Sequence, residues 1–344
     1  MNADNNSVQI RIRVVFLVTA LPGVACGVGD YTRQLANSLR EAGISAEVEE
    51  LPAWNLRSLA FLVGKYGRRN DTILHLQYPT LGMGRSPVPA LLPIFFRHGR
   101  LFLTLHEFDQ FNVMRKFYIL LFKLLTDAVI FTNERERGIF HRFFPWRRKD
   151  GHVIPIGNNI DVVAPAVRKR RRLIYFGQIV AGKGLEDFLE VVARLRIRGN
   201  PISCAIIGTV PDATSAIARA VHAAVQTHGV TVLEGLPADE VSRELQSSTV
   251  AFLPFPDGIT DRRGSALACL KHGLAIVTYH SSLSPDWLRR VTYGVSGPDE
   301  ALICIERLLA EELAPVPEPE VLALGLAQRA WSAIAMAHIH LYCG

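Results

Sequence analysis

Leu173-Ile174-Tyr175-Phe176-Gly177-Gln178-Ile179-Val180-Ala181-Gly182-Lys183-Gly184-Leu185 is the stretch whose pattern decides the fold class. An unbroken apolar run ending in glycine is what a strand buried on both faces leaves in a sequence. A glycine-bearing loop follows, and a helical pattern then runs from Leu185 to about Arg198, with Gly199 as its stop. Glycines in such a loop let a ligand approach the backbone, and the helix start offers free N–H groups to an anion. Lys183 brings an ammonium to the place where a diphosphate rests. The loop is not a Walker A motif, because GxxxxGK[ST] is not completed after Lys183. The plainer reading of Lys183 is a solvated loop side chain.

The same alternation extends in both directions. Apolar strand-like runs occur at Val14–Val18, Ala46–Val48, Ile73–Leu76, Leu101–Leu105, Ala128–Thr132 and Val153–Gly157. After the basic stretch Val167–Arg172 they resume at Leu173–Gly177, Cys204–Gly208, Val230–Leu233, Val250–Pro254 and Ala275–Thr278. Helical patterns lie between them. This predicts an α/β protein with two Rossmann-like domains, residues 1–160 and 161–322, whose parallel sheets face an interdomain cleft.

Three further segments place glycine, charge or a histidine at a strand end. Gly27-Val28-Gly29-Asp30-Tyr31-Thr32 follows the first strand, with a tight turn as the plainer reading; Thr32 stands where a dinucleotide fingerprint needs its third glycine. Thr104-Leu105-His106-Glu107 places a histidine at a strand end, where a structural role is the alternative. Phe255 to Leu267 carries Asp257, Asp261, Arg262 and Arg263 ahead of a helix start at Gly264-Ser265. Two arginines and exposed amides suit a diphosphate, and a solvent-facing charge cluster is the competing reading.

Bulk properties bound the rest. The chain has 344 residues, 49% hydrophobic, with 38 Lys and Arg against 32 Asp and Glu for a formal net charge of +6. That excess favours anionic partners without choosing among them. Cys26, Cys204, Cys269, Cys304 and Cys343 are widely spaced, so neither a zinc site nor a disulfide framework is indicated, and a reducing compartment fits. No signal peptide is visible, and no apolar run approaches the ~20 residues a membrane span needs.

In their fixed order these motifs resemble glycosyltransferase family 4 over nearly the full length. Thr104–His106 is similar to its strand-end T-x-H. Thr132-Asn133-Glu134 is similar to T-x-S/N-E, and Val153–Asn159 to V-I-P-x-G. Phe176–Gly184 is similar to the F-x-G-x-x-x-x-K-G that opens the second domain, Val232–Leu236 is loosely like V-x-x-x-G, and Trp331–Ile334 is like the closing W-x-x-I/A helix.

The resemblance implies a GT-B fold, with residues 323–344 crossing back to the first domain. It implies sugar transfer, with retention, from a nucleotide-sugar donor to an unknown acceptor, in polysaccharide or glycoconjugate biosynthesis, without metal or other cofactor and without nucleic acid. Gly27, Gly29, Gly177, Gln178, Lys183, Gly184, Arg262, Arg263, Gly264, Ser265 and Leu267 would hold the donor, and His106 would meet the transferred sugar.

Two departures stand out. Gln178 occupies a place usually held by arginine, and the glutamate pair of the last phosphate loop is absent. Arg262 and Arg263 are the expected replacements for charge, and Asp257 or Asp261 for the carboxylate. A catalytically degenerate GT-B binding or regulatory subunit is the alternative. Basic and aromatic residues mix around Ile94–Phe102 and Phe111–Leu125, with Arg97, Arg100, Arg115, Lys116 and Lys123. This suits an anionic membrane surface and a peripheral place on its cytoplasmic face; ordinary core packing is the other reading.

Overall fold

The computed structural model describes residues 12–19, 26–96, 101–125, 128–145, 151–165, 171–210 and 212–343. Arg97, Arg100 and Val167–Arg170 lie outside the described residues, as does the side chain of Lys123. The chain divides into two compact units, residues 1–157 with 329–344 and residues 158–328.

Unit 1 runs β1 (Arg13–Thr19), α1 (Gly27–Glu41), β2 (Ser45–Leu51), α2 (Leu56–Tyr66), β3 (Thr72–Tyr78), α3 (Leu92–Phe95), β4 (Leu101–Leu105), α4 (Val113–Leu125), β5 (Ala128–Phe131), α5 (Glu134–Phe143) and β6 (His152–Val153). Its six strands are parallel in the order β2-β1-β3-β4-β5-β6. Successive strand residues point to opposite faces. Val15, Leu17, Leu74, Leu76 and Leu103 pack with Leu62, Leu92, Ile119 and Phe140 of α2 to α5. Val14, Phe16, Ile73, Phe102 and Ile130 pack with Tyr31, Leu35 and Leu39 of α1.

Unit 2 runs β7 (Arg172–Phe176), α6 (Leu185–Ile197), β8 (Ser203–Gly208), α7 (Ala216–His228), β9 (Thr231–Glu234), α8 (Ala238–Gln246), β10 (Val250–Leu253), α9 (Gly264–Lys271), β11 (Ala275–Tyr279), α10 (Asp286–Val291), β12 (Tyr293–Val295), α11 (Pro298–Leu309) and α12 (Pro319–Gln328). The parallel order is β12-β11-β10-β7-β8-β9. One face packs on Phe188, Val221 and Ile305 of α6, α7 and α11; the other packs on Val241, Ala266 and Leu288 of α8, α9 and α10. The last helix, α13 (Trp331–Cys343), belongs to unit 1 and buries Ile334, Ala335 and Tyr342 beside α1.

Two local differences from the sequence expectation have simple causes. The Gly27–Thr32 segment is already helical, because α1 begins at Gly27. Strand β12 has only three residues with a central glycine, too short to leave a periodic signal. All five cysteines are free. Among the described residues, no helix is long and apolar enough to cross a membrane, and no group of three or more His, Cys, Asp or Glu could hold a metal.

Candidate functional site

Each sheet reverses its direction of growth once, between β1 and β3 in unit 1 and between β10 and β7 in unit 2. Loops leaving the carboxyl ends on either side of such a point diverge and leave a crevice, which is where ligands of open α/β sheets bind. In unit 2 those loops are residues 177–184 after β7 and 254–263 after β10.

The two loops touch. Gly184 has φ +85°, and a Cβ placed there would fall 1.8 Å from the carbonyl oxygen of Pro254. Only glycine lets the lysine loop lie on the end of β10. Likewise a Cβ on Gly208 would fall 1.9 Å from the carbonyl oxygen of Gly177. The Tyr175 hydroxyl donates to the carbonyls of Gln178 and Lys183, 3.4 Å away in both cases. Burial pushes its phenol up to about 12, so it remains a donor at neutral pH; the positive charge of Arg263 acts on the same group in the opposite sense.

Arg263 therefore lies beside the lysine loop. Its guanidinium sits over the Phe255 ring, 4.6 Å from the centroid, and pairs with the Asp257 carboxylate. Its Nε is buried with no hydrogen-bond partner. Lys183 is exposed, and among the described residues its ammonium makes no hydrogen bond or ion pair.

Helix α9 starts at this point with Arg263 as its N-cap and no side-chain cap. The Gly264 amide donates to Arg262, and the Leu267 amide donates to Arg263, both at 3.1 Å. The Ser265 and Ala266 amides have no backbone acceptor among the described residues, so these two carry the open positive end of the helix. Leu267 is fully buried in the core. Asp261 accepts a hydrogen bond of 2.8 Å from the Trp287 indole of α10. Gln178 is exposed, and Arg262 is partly buried.

In unit 1, His106 follows β4 and extends the ladder by donating its backbone N–H to Tyr78 at 2.9 Å. Its Nε2 lies 2.9 Å from Gln77 Oε1, and its ring meets the edge of Tyr31 at 5.3 Å. Gly27 is exposed and Gly29 buried in the first turn of α1. A Cβ on Gly27 would meet nothing within 4 Å, and one on Gly29 would lie 3.5 Å from Cys26 Cβ, so local packing demands neither glycine. The Cys26 N-cap supplies no side-chain hydrogen bond, leaving this helix start open as well.

Residues 170–311 match the family model described as glycosyl transferases group 1. A glycosyltransferase structure from Rickettsia africae superimposes with TM-score 0.71 at 13% identity, covering 96% of this chain and 98% of that one. HepE from Anabaena, solved in complex with UDP, gives 0.70 at 14% identity, covering 96% and 100%. The fold is GT-B. Sucrose-phosphate synthase from Thermosynechococcus elongatus shares it, with TM-score 0.66 at 17% identity over 96% and 98% of the two chains. No curated protein matches this chain in sequence.

Of the residues the sequence singled out, the fold gathers Lys183, Gly184 and Arg263 on adjacent loops of unit 2. Tyr175, Phe255 and Gln77, buried residues at strand ends that read as core in the sequence, lie beside those it singled out.

Proposed function

We propose that this protein transfers a glycosyl group from a nucleotide-sugar donor, with unit 2 holding the donor diphosphate. The observation that carries the reading is the meeting of the Lys183 loop, Arg263 and the open amides of α9 at the sheet reversal. As the sugar–oxygen bond breaks, negative charge grows on the diphosphate, and preorganised cations and amides stabilise it most there. Catalysis then needs no metal, and activity persists in EDTA. Retention at the anomeric carbon is the expected stereochemistry, read by NMR of the fresh product, with a saccharide or lipid-linked saccharide as acceptor in glycoconjugate or polysaccharide synthesis.

Calorimetric titration with UDP-, GDP-, ADP- and dTDP-sugars tests the donor half. UDP-sugars come first because HepE was solved with UDP and glucose. Lys183→Ala removes a charge-assisted contact worth about 1.5–3 kcal/mol, so affinity falls roughly 10- to 100-fold. Unchanged affinity in that variant, or no binding from the whole panel, removes the proposal. The second reading, a binding subunit that does not transfer, draws on the carboxylates: Asp257 is held by Arg263 and Asp261 by Trp287. Tight donor binding with no turnover across acceptors would favour it.

The surface of unit 1 supports peripheral attachment to the cytoplasmic face of an anionic membrane. Helices α2, α3 and α4 contain no acidic residue and carry Arg57, Lys65, Arg115 and Lys116. Phe61, Ile94, Phe95, Val113, Met114 and Phe117 of the same helices are exposed. Apolar side chains among cations suit the headgroup boundary. Flotation with phosphatidylglycerol vesicles at low salt, lost in Val113→Asp/Phe117→Asp, is the expected result; no flotation of the wild type rejects attachment.

A further inference from the structure

Strand β3 reads Thr-Ile-Leu-His-Leu-Gln-Tyr, and all seven residues are buried. Val, Ile or Leu would satisfy packing at position 77, yet the chain places a glutamine there. Gln77 stands opposite Thr104 in the β3–β4 register and is fully inaccessible. Its Oε1 lies 2.9 Å from His106 Nε2, and its Nε2 is buried with no hydrogen-bond partner. Buried amide donors are nearly always paired, so leaving Nε2 unmet is a cost that the bond between Oε1 and His106 must offset. The hydroxyl of Tyr31, whose ring abuts His106, is likewise buried and unpaired.

We propose that Gln77 is a positioning residue for His106. An amide oxygen only accepts, so the pairing assigns a proton to His106 Nε2. The glutamine thereby fixes both the tautomer and the ring orientation. The tautomer assignment stands on unit 1 alone; its bearing on turnover rests on the glycosyltransferase reading above.

The experiment is two-bond 1H–15N correlation NMR on 15N-histidine-labelled full-length protein without ligand. The expected wild-type spectrum shows His106 as the Nε2–H tautomer. Gln77→Met removes the acceptor and gives averaged or Nδ1–H signals. Gln77→Glu restores an acceptor, so Nε2–H returns and the His106 titration moves to higher pH beside the new carboxylate. Melting curves establish that both variants fold. An Nδ1–H wild type, or Gln77→Met with an unchanged spectrum, overturns the positioning role.

Turnover is the second readout. Gln77→Met lowers kcat/KM at least tenfold, and Gln77→Glu regains part of it with a pH profile displaced upward. Unchanged kcat/KM in Gln77→Met overturns the bearing of this tautomer on turnover. Undiminished transfer by His106→Ala would instead fail the site reading itself, with the NMR assignment intact.

Discussion

Gly182 and Gly184 flank Lys183 and share left-handed backbone, with φ +73° and +85°, yet their surroundings differ. A Cβ on Gly182 meets nothing within 4 Å, whereas on Gly184 it would overlap the Pro254 carbonyl. Gly182→Ala should therefore cost only the left-handed penalty, about 1–2 kcal/mol. Gly184→Ala should cost roughly twice that or more, because the loop must leave the end of β10. Urea midpoints of the two variants check this; equal midpoints contradict it. The lysine loop was legible in the sequence because glycine, lysine and strand end fall within one short window. Gln77 was not, because a polar residue inside an apolar strand declares its partner only when β4 is laid beside it. Asp257 and Asp261 read as available carboxylates, and only the folded loop reveals Arg263 and Trp287 holding them.

Among the elements, α13 covers a polar seam within an apolar sheet face. The Tyr342 hydroxyl lies 2.6 Å from His75 Nδ1, and His75 Nε2 lies 2.7 Å from Thr104 Oγ1. His338 Nδ1 donates to the Ile334 carbonyl at 2.8 Å, while its Nε2 has no partner. Burial holds His338 at about 4, below its ordinary 6.5. Burial, then the neighbouring His338 and His106, holds His75 well below 6.5. Both rings are neutral in the folded protein. In the unfolded chain they take protons below pH 6.5, so stability is full above that pH and falls as pH drops towards 4. For His338 alone the loss approaches about 3 kcal/mol by pH 4.

His338→Leu should flatten this acid slope, raising the melting temperature at pH 5 relative to the wild type by more than at pH 8. An equal shift at both pH values contradicts the argument. The unpaired Nε2 also makes the substitution gentle, since no hydrogen bond to that atom is lost. As for elements in the sequence, the central strands were legible because they are continuous apolar runs. The start of α1 was not, because two glycines near a helix start imitate a loop.

Across the whole molecule, charge is divided unevenly. Unit 1 holds 21 Lys and Arg against 13 Asp and Glu, a net of +8, while unit 2 holds 17 against 19, a net of −2. The overall +6 therefore understates the field of unit 1, and no bulk count shows where it resides. Attraction to anionic vesicles should weaken steeply between low and physiological salt, as screening shortens to about 8 Å. Donor binding should change less, because Arg263 is largely shielded from solvent. Parallel loss of both with salt would mean that one and the same surface serves lipid and nucleotide. The double Rossmann pattern was legible at this scale because strand–helix alternation starts afresh after the basic linker.

Unit 2 is one continuous stretch, while unit 1 is interrupted and regains its last helix only at residues 329–344. During synthesis, domains fold as their residues emerge from the ribosome. All of residues 158–328 appear before Tyr342 does, so the half that begins first is completed last. Until then His75 lacks the hydroxyl that α13 brings, and the sheet face around Phe16 and Phe102 has only the cover that α1 gives it. A nascent chain stalled short of α13 is thus the species on which a chaperone would act.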